Sequence, residues 1–254
     1  MMSRIVIDGV SKNFGALSAL DNVSLSLEAG RSLALIGPTA AGKSVLLKCL
    51  VGLYATSGGQ ILIDGEKMGE ATTRPHALKR RIGMLFQQNA LFDSLPVWEN
   101  IAFQLIADGL PRRQARARAE ELLPRVGLPA STSTLFPSDL SGGMQKRVGF
   151  ARAIATQPDI VLLDNPTAGL DPILAARVDA MIGGLVHNSQ TCVISVTGNM
   201  VGITEAYDEI AVLHDGVLRW HGTGKEAESD ENLWLRQLLA GQRDGPITTR
   251  IAAA

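Results

Sequence analysis

Residues 32–50, SLALIGPTAAGKSVLLKCL, decide the fold. An apolar run, Ser32–Ile36, feeds a loop of the form Gly, four residues, then Gly-Lys-Ser, and helical spacing follows over Ser44–Val51. A strand that ends in a tight turn at a helix start converges its backbone N–H groups on one point, which is a cradle for phosphate. Gly37 and Gly42 permit that path. Lys43 supplies a cation for the β- and γ-phosphates, and the Ser44 hydroxyl is placed to ligate Mg²⁺. Pro38, Thr39, Ala41 and Val45 complete the stretch that would meet a nucleotide. Ala40 stands where such loops commonly carry glycine; its methyl narrows the allowed backbone without forbidding phosphate binding.

Outward from this loop, strands alternate with helices. Ile5–Val10, Val23–Leu27 and Gln60–Ile63 read as strands, with a turn at Asp64-Gly65. Ile82–Phe86 is a further short apolar run, followed by Gln87. Between about Leu91 and Ala155 the pattern turns helical, with Val97–Ile106, Arg112–Val126 and Gly142–Ala155 as candidates. Strand and helix then alternate again through Ile160–Leu163, Leu174–Val186, Cys192–Val196 and Ile210–Leu213, and a hairpin at Asp215-Gly216 leads into Val217–Trp220. This order predicts an α/β fold with a mainly parallel core sheet, an antiparallel β subdomain, and an inserted helical subdomain over roughly 91–155. The main domain is placed at 1–241 and a C-terminal tail at 242–254. Ile160–Asp164 is an apolar strand that ends in an acid, the place where a phosphate-loop protein holds its Mg²⁺ shell.

A chain of 254 residues with net charge −1 and 19% charged residues is neither a nucleic-acid coat nor a disordered tail. Cys49 and Cys192 sit in apolar runs and read as buried, reduced thiols. The start, MMSRIVIDGV, lacks a secretory pattern, and no window approaches the ~18 apolar residues of a bilayer span. A soluble chain is expected, with any membrane role exercised through a partner.

LSGGMQKR, Leu140–Arg147, resembles the signature of ATP-binding-cassette (ABC) ATPases. Gln87 after Phe86 resembles the Q-loop of that family, Ala168-Gly169-Leu170-Asp171 resembles its D-loop, and Phe14 matches the aromatic that stacks on adenine. The likeness covers essentially residues 4–225. Within the family, FQQNALFDSLPVWENIAF (86–103), the LSGGMQKRVGFARAIA run and LRQLLAGQRDGPI (235–247) are similar to Mla-type phospholipid-transport ATP-binding subunits.

The resemblance implies a P-loop NTPase cassette that takes ATP and Mg²⁺. Phe14, the loop from Gly37 to Val45, and Ser141, Gly142 and Gly143 are implied for the nucleotide. Ser44, Gln87 and Asp164 are implied for the metal. Two cassettes, identical or not, would sandwich ATP, with the signature of one facing the phosphate loop of the other. An integral-membrane permease subunit is the implied partner, with a small accessory subunit beside it and no nucleic acid. The place implied is the cytoplasmic face of the inner membrane.

Two hydrolytic positions depart from this pattern. Asn165 replaces the glutamate that polarises the attacking water, and an amide cannot accept a proton. Gly198 replaces the histidine that contacts the γ-phosphate; His76, His187, His214 and His221 all lie elsewhere. The sequence therefore predicts ATP binding with impaired hydrolysis, or a non-hydrolytic cassette that pairs with a competent one. A cassette of DNA repair or translation is disfavoured, since neither a long coiled coil nor a second cassette is present. Arg112, Arg113, Arg116 and Arg118 read as a solvated helix face. Trp98 is divided between permease contact and packing, Trp220 and Trp234 read as packing, and the tail after Gly241 as either frayed or a subunit arm.

Overall fold

A computed structural model describes residues 3–68, 81–88 and 90–248 of the chain. His76 and residues 249–254 of the expected tail lie outside them. The chain divides into two compact units, Met1–Thr73 with Val196–Ala254, and Arg74–Ser195.

The first unit contains a four-stranded antiparallel sheet in the order β2-β1-β4-β5, built from β1 (Ser3–Phe14), β2 (Leu17–Glu28), β4 (Gly58–Ile63) and β5 (Glu66–Lys67). β1 and β2 extend well past the runs expected from apolar alternation. Their ladder continues through polar Lys12 and Asn13 to Phe14↔Leu17, because backbone pairing across a tight hairpin does not depend on side-chain polarity. Register shifts beyond Ile7 free backbone donors that hydroxyls then satisfy: Gly9 N–H donates to Ser24 Oγ at 2.9 Å and Asn13 N–H to Ser57 Oγ at 3.0 Å. Ile5, Ile7, Leu25, Leu27, Ile61 and Ile63 form the buried face.

The same unit holds β3 (Ser32–Ile36) parallel to β9 (Glu209–His214), with Ile36 opposite Val212, and β10 (Val217–Thr223) antiparallel to β9. β3 is buried along its whole length and runs into the phosphate loop and α1 (Lys43–Leu50). Cys49 is buried on α1, and burial pushes its thiol up to about 11.

In the second unit β6 (Ile82–Leu85) runs parallel to β7 (Ile160–Asp164), and β8 (Cys192–Val196) flanks β7 on its other side. The helical stretch resolves into α2 (Val97–Ala107), α3 (Arg112–Arg125) and α4 (Gly142–Ile154), with two 3₁₀ turns at Ala130–Thr134 and Pro137–Asp139. α3 buries Ala115, Ala119, Leu122 and Leu123, an i, i+4, i+7, i+8 stripe. Three of its arginines have acidic partners: Arg112 reaches Glu99 at 2.7 Å, Arg116 reaches Glu120 at 2.8 Å and Arg118 reaches Glu121 at 3.4 Å. Trp98 lies under Arg112 and Arg116, at 5.1 and 5.8 Å from ring centroid to guanidinium. α5 (Pro172–Ser189) follows β7, capped by the Asp171 carboxylate, which accepts from Ile173 and Leu174 N–H.

Three short helices of the first unit were not read from the sequence: α6 (Ile203–Ala206), α7 (Gly224–Ser229) and α8 (Leu233–Ala240). Residues 242–248 are not frayed. The buried Gln237 side chain donates to Ile247 C=O at 2.9 Å and accepts from Ile247 N–H at 2.7 Å, seating Ile247 in a buried position. Among the described residues no helix is long and apolar enough to cross a membrane.

Candidate nucleotide site

The first unit carries Phe14, the phosphate loop and Gly198. Gly37 has φ +149°, and a Cβ there would lie 2.0 Å from the Leu213 carbonyl oxygen; Gly42 has φ +98°, with Ala19 O only 2.5 Å from a hypothetical Cβ. The loop is therefore wedged against β9 and β2, and no larger residue fits at either point. The hairpin Asp215-Gly216 supports it from outside: Gly216 N–H donates to Ala41 C=O at 3.1 Å, and Gly216 C=O accepts from Asp21 N–H at 2.9 Å. The sequence marked this hairpin as a turn and not as part of the site.

No side chain caps the N-terminus of α1, and its first turn contains no acidic residue. Its leading N–H groups and the positive end of its dipole are left for an anion. Lys43 Nζ donates to Gly37 and Pro38 carbonyls at 2.8 and 2.6 Å, folding the ammonium over the loop. Ser44 and Val45 are half-buried in the first turn, whereas Thr39 and Ala40 are exposed at the loop tip. Ala40 has φ +63°, the left-handed region that its methyl disfavours. Ala40→Gly is expected to raise stability by about 0.5–1 kcal/mol, strain relief outweighing the added chain entropy. A thermal melt of the two proteins checks this; an unchanged or lower midpoint contradicts it.

Phe14 ends β1 with 41% of its surface exposed. Tyr54 meets it edge-on, with ring centroids 5.2 Å apart and planes at 78°. Lys12 Nζ lies 4.9 Å from the Phe14 centroid and donates to Ala55 C=O at 2.7 Å. The pair is a braced aromatic platform, the form a base-stacking surface takes. Gly198 is exposed after Thr197, and a Cβ built on it meets nothing within 4 Å. His214 ends β9 with its Nδ1 3.6 Å from Asp215, and His221 on β10 meets Glu209 at 2.8 Å.

The second unit carries Gln87, the Ser141–Gly143 segment, Asp164 and Asn165. Every residue of β7 is buried, and Asp164 at its end is 3% exposed. Asn165 follows with φ +54°, its Nδ2 donating to Asp164 Oδ1 at 3.4 Å. Asparagine is one of the few side-chain-bearing residues that enter this backbone region readily. Gln87 is exposed in the turn beyond β6, and Arg152 pins that segment by donating to Ala90 C=O at 2.7 Å.

Ser141 caps α4, its Oγ accepting from Met144 N–H at 3.3 Å, while Gly142 opens onto free space. Gly143 packs so close to Leu170 that a Cβ would stand 3.1 Å from Cδ2. Lys146 donates to Ala168 C=O, and burial lowers the pKa of its ammonium. Lys146, which sequence reasoning did not single out, thus ties the α4 start to the 168–171 segment. Asn100, also missed, is fully buried and binds the 92–96 loop: its Oδ1 accepts from Phe92 N–H at 2.7 Å, and its Nδ2 donates to Leu95 C=O at 2.8 Å and Phe92 C=O at 3.0 Å.

In the first unit, a cradle closed to any Cβ at Gly37 and Gly42, an uncapped helix start and a cation beside it fit a nucleoside triphosphate; the second unit, by itself, carries a buried acid at a strand end, a residue type suited to Mg²⁺. Comparison with known proteins agrees. The family model described as ABC transporter matches residues 20–168. The chain is 39% identical over 227 residues to the methionine import ATP-binding protein MetN of Caulobacter vibrioides, across 87% of this chain and 68% of that one. It is 34% identical over 255 residues to the protein TRIGALACTOSYLDIACYLGLYCEROL 3, chloroplastic, of Arabidopsis thaliana, across 94% of this chain and 74% of that one. The curated relatives are longer, and the chain spans between 61% and 74% of their length. The dimeric ATP-binding cassette MJ0796, in a post-hydrolysis state bound to ADP and Pi, superposes with a TM-score of 0.79 at 28% identity, covering 86% of this chain and 98% of that one. A phosphate cradle on the fold of that cassette, in a chain matched by the family model over more than half its length, makes this protein a member of the ABC transporter family, whose cassettes bind ATP with Mg²⁺.

Proposed function

We propose that this chain is the ATP-binding subunit of a transporter for phospholipid or a related hydrophobic substrate, and that its own hydrolysis is impaired. The observation that carries the reading is an intact phosphate cradle on the same chain as Asn165 and Gly198. Lys43 and the α1 N–H groups hold the phosphates, Phe14 takes the base, and Ser44, Asp164 and Gln87 supply ligands for Mg²⁺. Bound ATP closes a dimer of cassettes, with Ser141–Gly143 of one protomer presented to its partner's nucleotide, and the closure drives a membrane permease to which the cassette attaches peripherally, on the cytoplasmic face of the inner membrane. A small accessory subunit belongs to the same assembly. The lipid assignment is supported by the likeness of segments 86–103 and 235–247 to Mla-type subunits, and by a relative whose printed name is that of a galactolipid.

Asn165 removes a negative charge from the triphosphate's surroundings and, with it, the general base. The side chain still orients Asp164, to which it donates. Affinity is retained while proton abstraction is lost. A second reading is favoured by the loss of both groups from one chain: this subunit is non-hydrolytic and pairs with a competent cassette, lending it the Ser141 segment.

Titration of the purified chain with Mg-ATP tests the proposal. Saturable binding well below millimolar, weakened at least tenfold in Lys43→Ala, is expected. Binding weaker than millimolar, or indifferent to Lys43, overturns it.

A further inference from the structure

The second unit contains a cavity of about 630 Å³ that none of the nucleotide groups lines. Three helices wall it: α3 contributes Arg118 and Arg125, α4 contributes Phe150 and Ile154, and α5 contributes Met181 and Leu185. Its size lies within the ~300–1,000 Å³ of small-molecule sites.

The charge is one-sided. Asp159, the carboxylate of the lining, is held by Arg81 at 2.6 Å. Among the described residues Arg118 pairs with Glu121, a 67% exposed side chain, at 3.4 Å, and Arg125 forms no ion pair. Guanidiniums at the edge of an apolar floor suit one ligand chemistry. A small anion would leave the floor wet, and a neutral hydrocarbon would make no use of the guanidiniums at its rim.

We propose that this cavity binds a single-chain anionic amphiphile, its head on Arg118 and Arg125 and its tail between Phe150, Ile154, Met181 and Leu185. Because the walls come from three helices, the bound tail joins them into one packed body.

Calorimetric titration of the full chain with decanoate, laurate and myristate, each below its micelle concentration, tests the assignment. One site per chain is expected, with affinity rising about fourfold per added methylene. Arg125→Gln weakens laurate binding by about tenfold or more, the loss of a charge-assisted hydrogen bond. Leu185→Trp fills the cavity and abolishes binding while the protein still melts cooperatively; if that variant does not fold, the exposed Arg125→Gln carries the test. Absence of saturable binding, an affinity indifferent to chain length, or binding unchanged in Arg125→Gln overturns the proposal. So does capture of an acidic amphipathic peptide at these residues by a protein that does not bind laurate.

Discussion

Asn165→Glu/Gly198→His is expected to raise ATP turnover by roughly 10²–10⁴ over the parent, the range of general-base assistance. The glutamate restores a proton acceptor next to Asp164, and the histidine enters open space, since a Cβ on Gly198 has no neighbour within 4 Å. Position 165 resists the change. Its φ of +54° suits asparagine, and glutamate there costs about 1 kcal/mol. Each single replacement is expected to recover far less than the pair, because groups of one catalytic unit do not act additively. Phosphate release by the parent, both single variants and the double variant, alone and with the permease, measures this. Lys43-dependent turnover in the parent equal to that of the double variant would show that a different group positions the water, and the reading of Asn165 would fall.

Asn100→Leu is expected to lower stability by about 2–4 kcal/mol, since a same-sized apolar side chain leaves the Phe92 N–H and the Phe92 and Leu95 carbonyls without their partner. For a chain of this size that is a fall of roughly 5–15 °C in melting temperature. The local consequence is larger than the global one. Asn100 supplies the side-chain hydrogen bonds from α2 to the 92–96 loop, beside the Phe92–Phe103 ring contact at 4.5 Å, so nicking by a protease within that loop is expected to quicken several-fold before the chain melts. A melting temperature within 2 °C of the parent, about the shift of a 0.5 kcal/mol change, would show that the loop is held by other contacts.

How much of this was legible in the sequence depends on the range of the forces involved. The phosphate loop, the apolar strand ending at Asp164 and the signature could be read because their chemistry lies within a dozen neighbouring residues. The support that Gly216 gives to Ala41, and the tie from Lys146 to Ala168, join residues distant in sequence and have no local mark. β1 was read too short because inward alternation stops at Val10, whereas backbone pairing continues to Phe14. Two helices did carry signals that went unread. Thr223 and Glu226 form a capping box for α7, and Asn232 with Gly241 bracket α8 as N-cap and left-handed C-terminal residue. Asn100 offered no signal, since an asparagine in a helical pattern reads as surface until its burial is known.

The backbone at Asn165 also limits which acids position 165 accepts without strain. Aspartate, the other acid that accepts a left-handed φ, has too short a side chain to stand in for glutamate, and glutamate itself begins from a deficit of about 1 kcal/mol. Until a histidine is present at position 198, that deficit comes with little activity to offset it. On the proposed reading, installing a glutamate at position 165 is therefore uphill in folding energy, whereas pairing with a competent second cassette supplies turnover without that backbone strain.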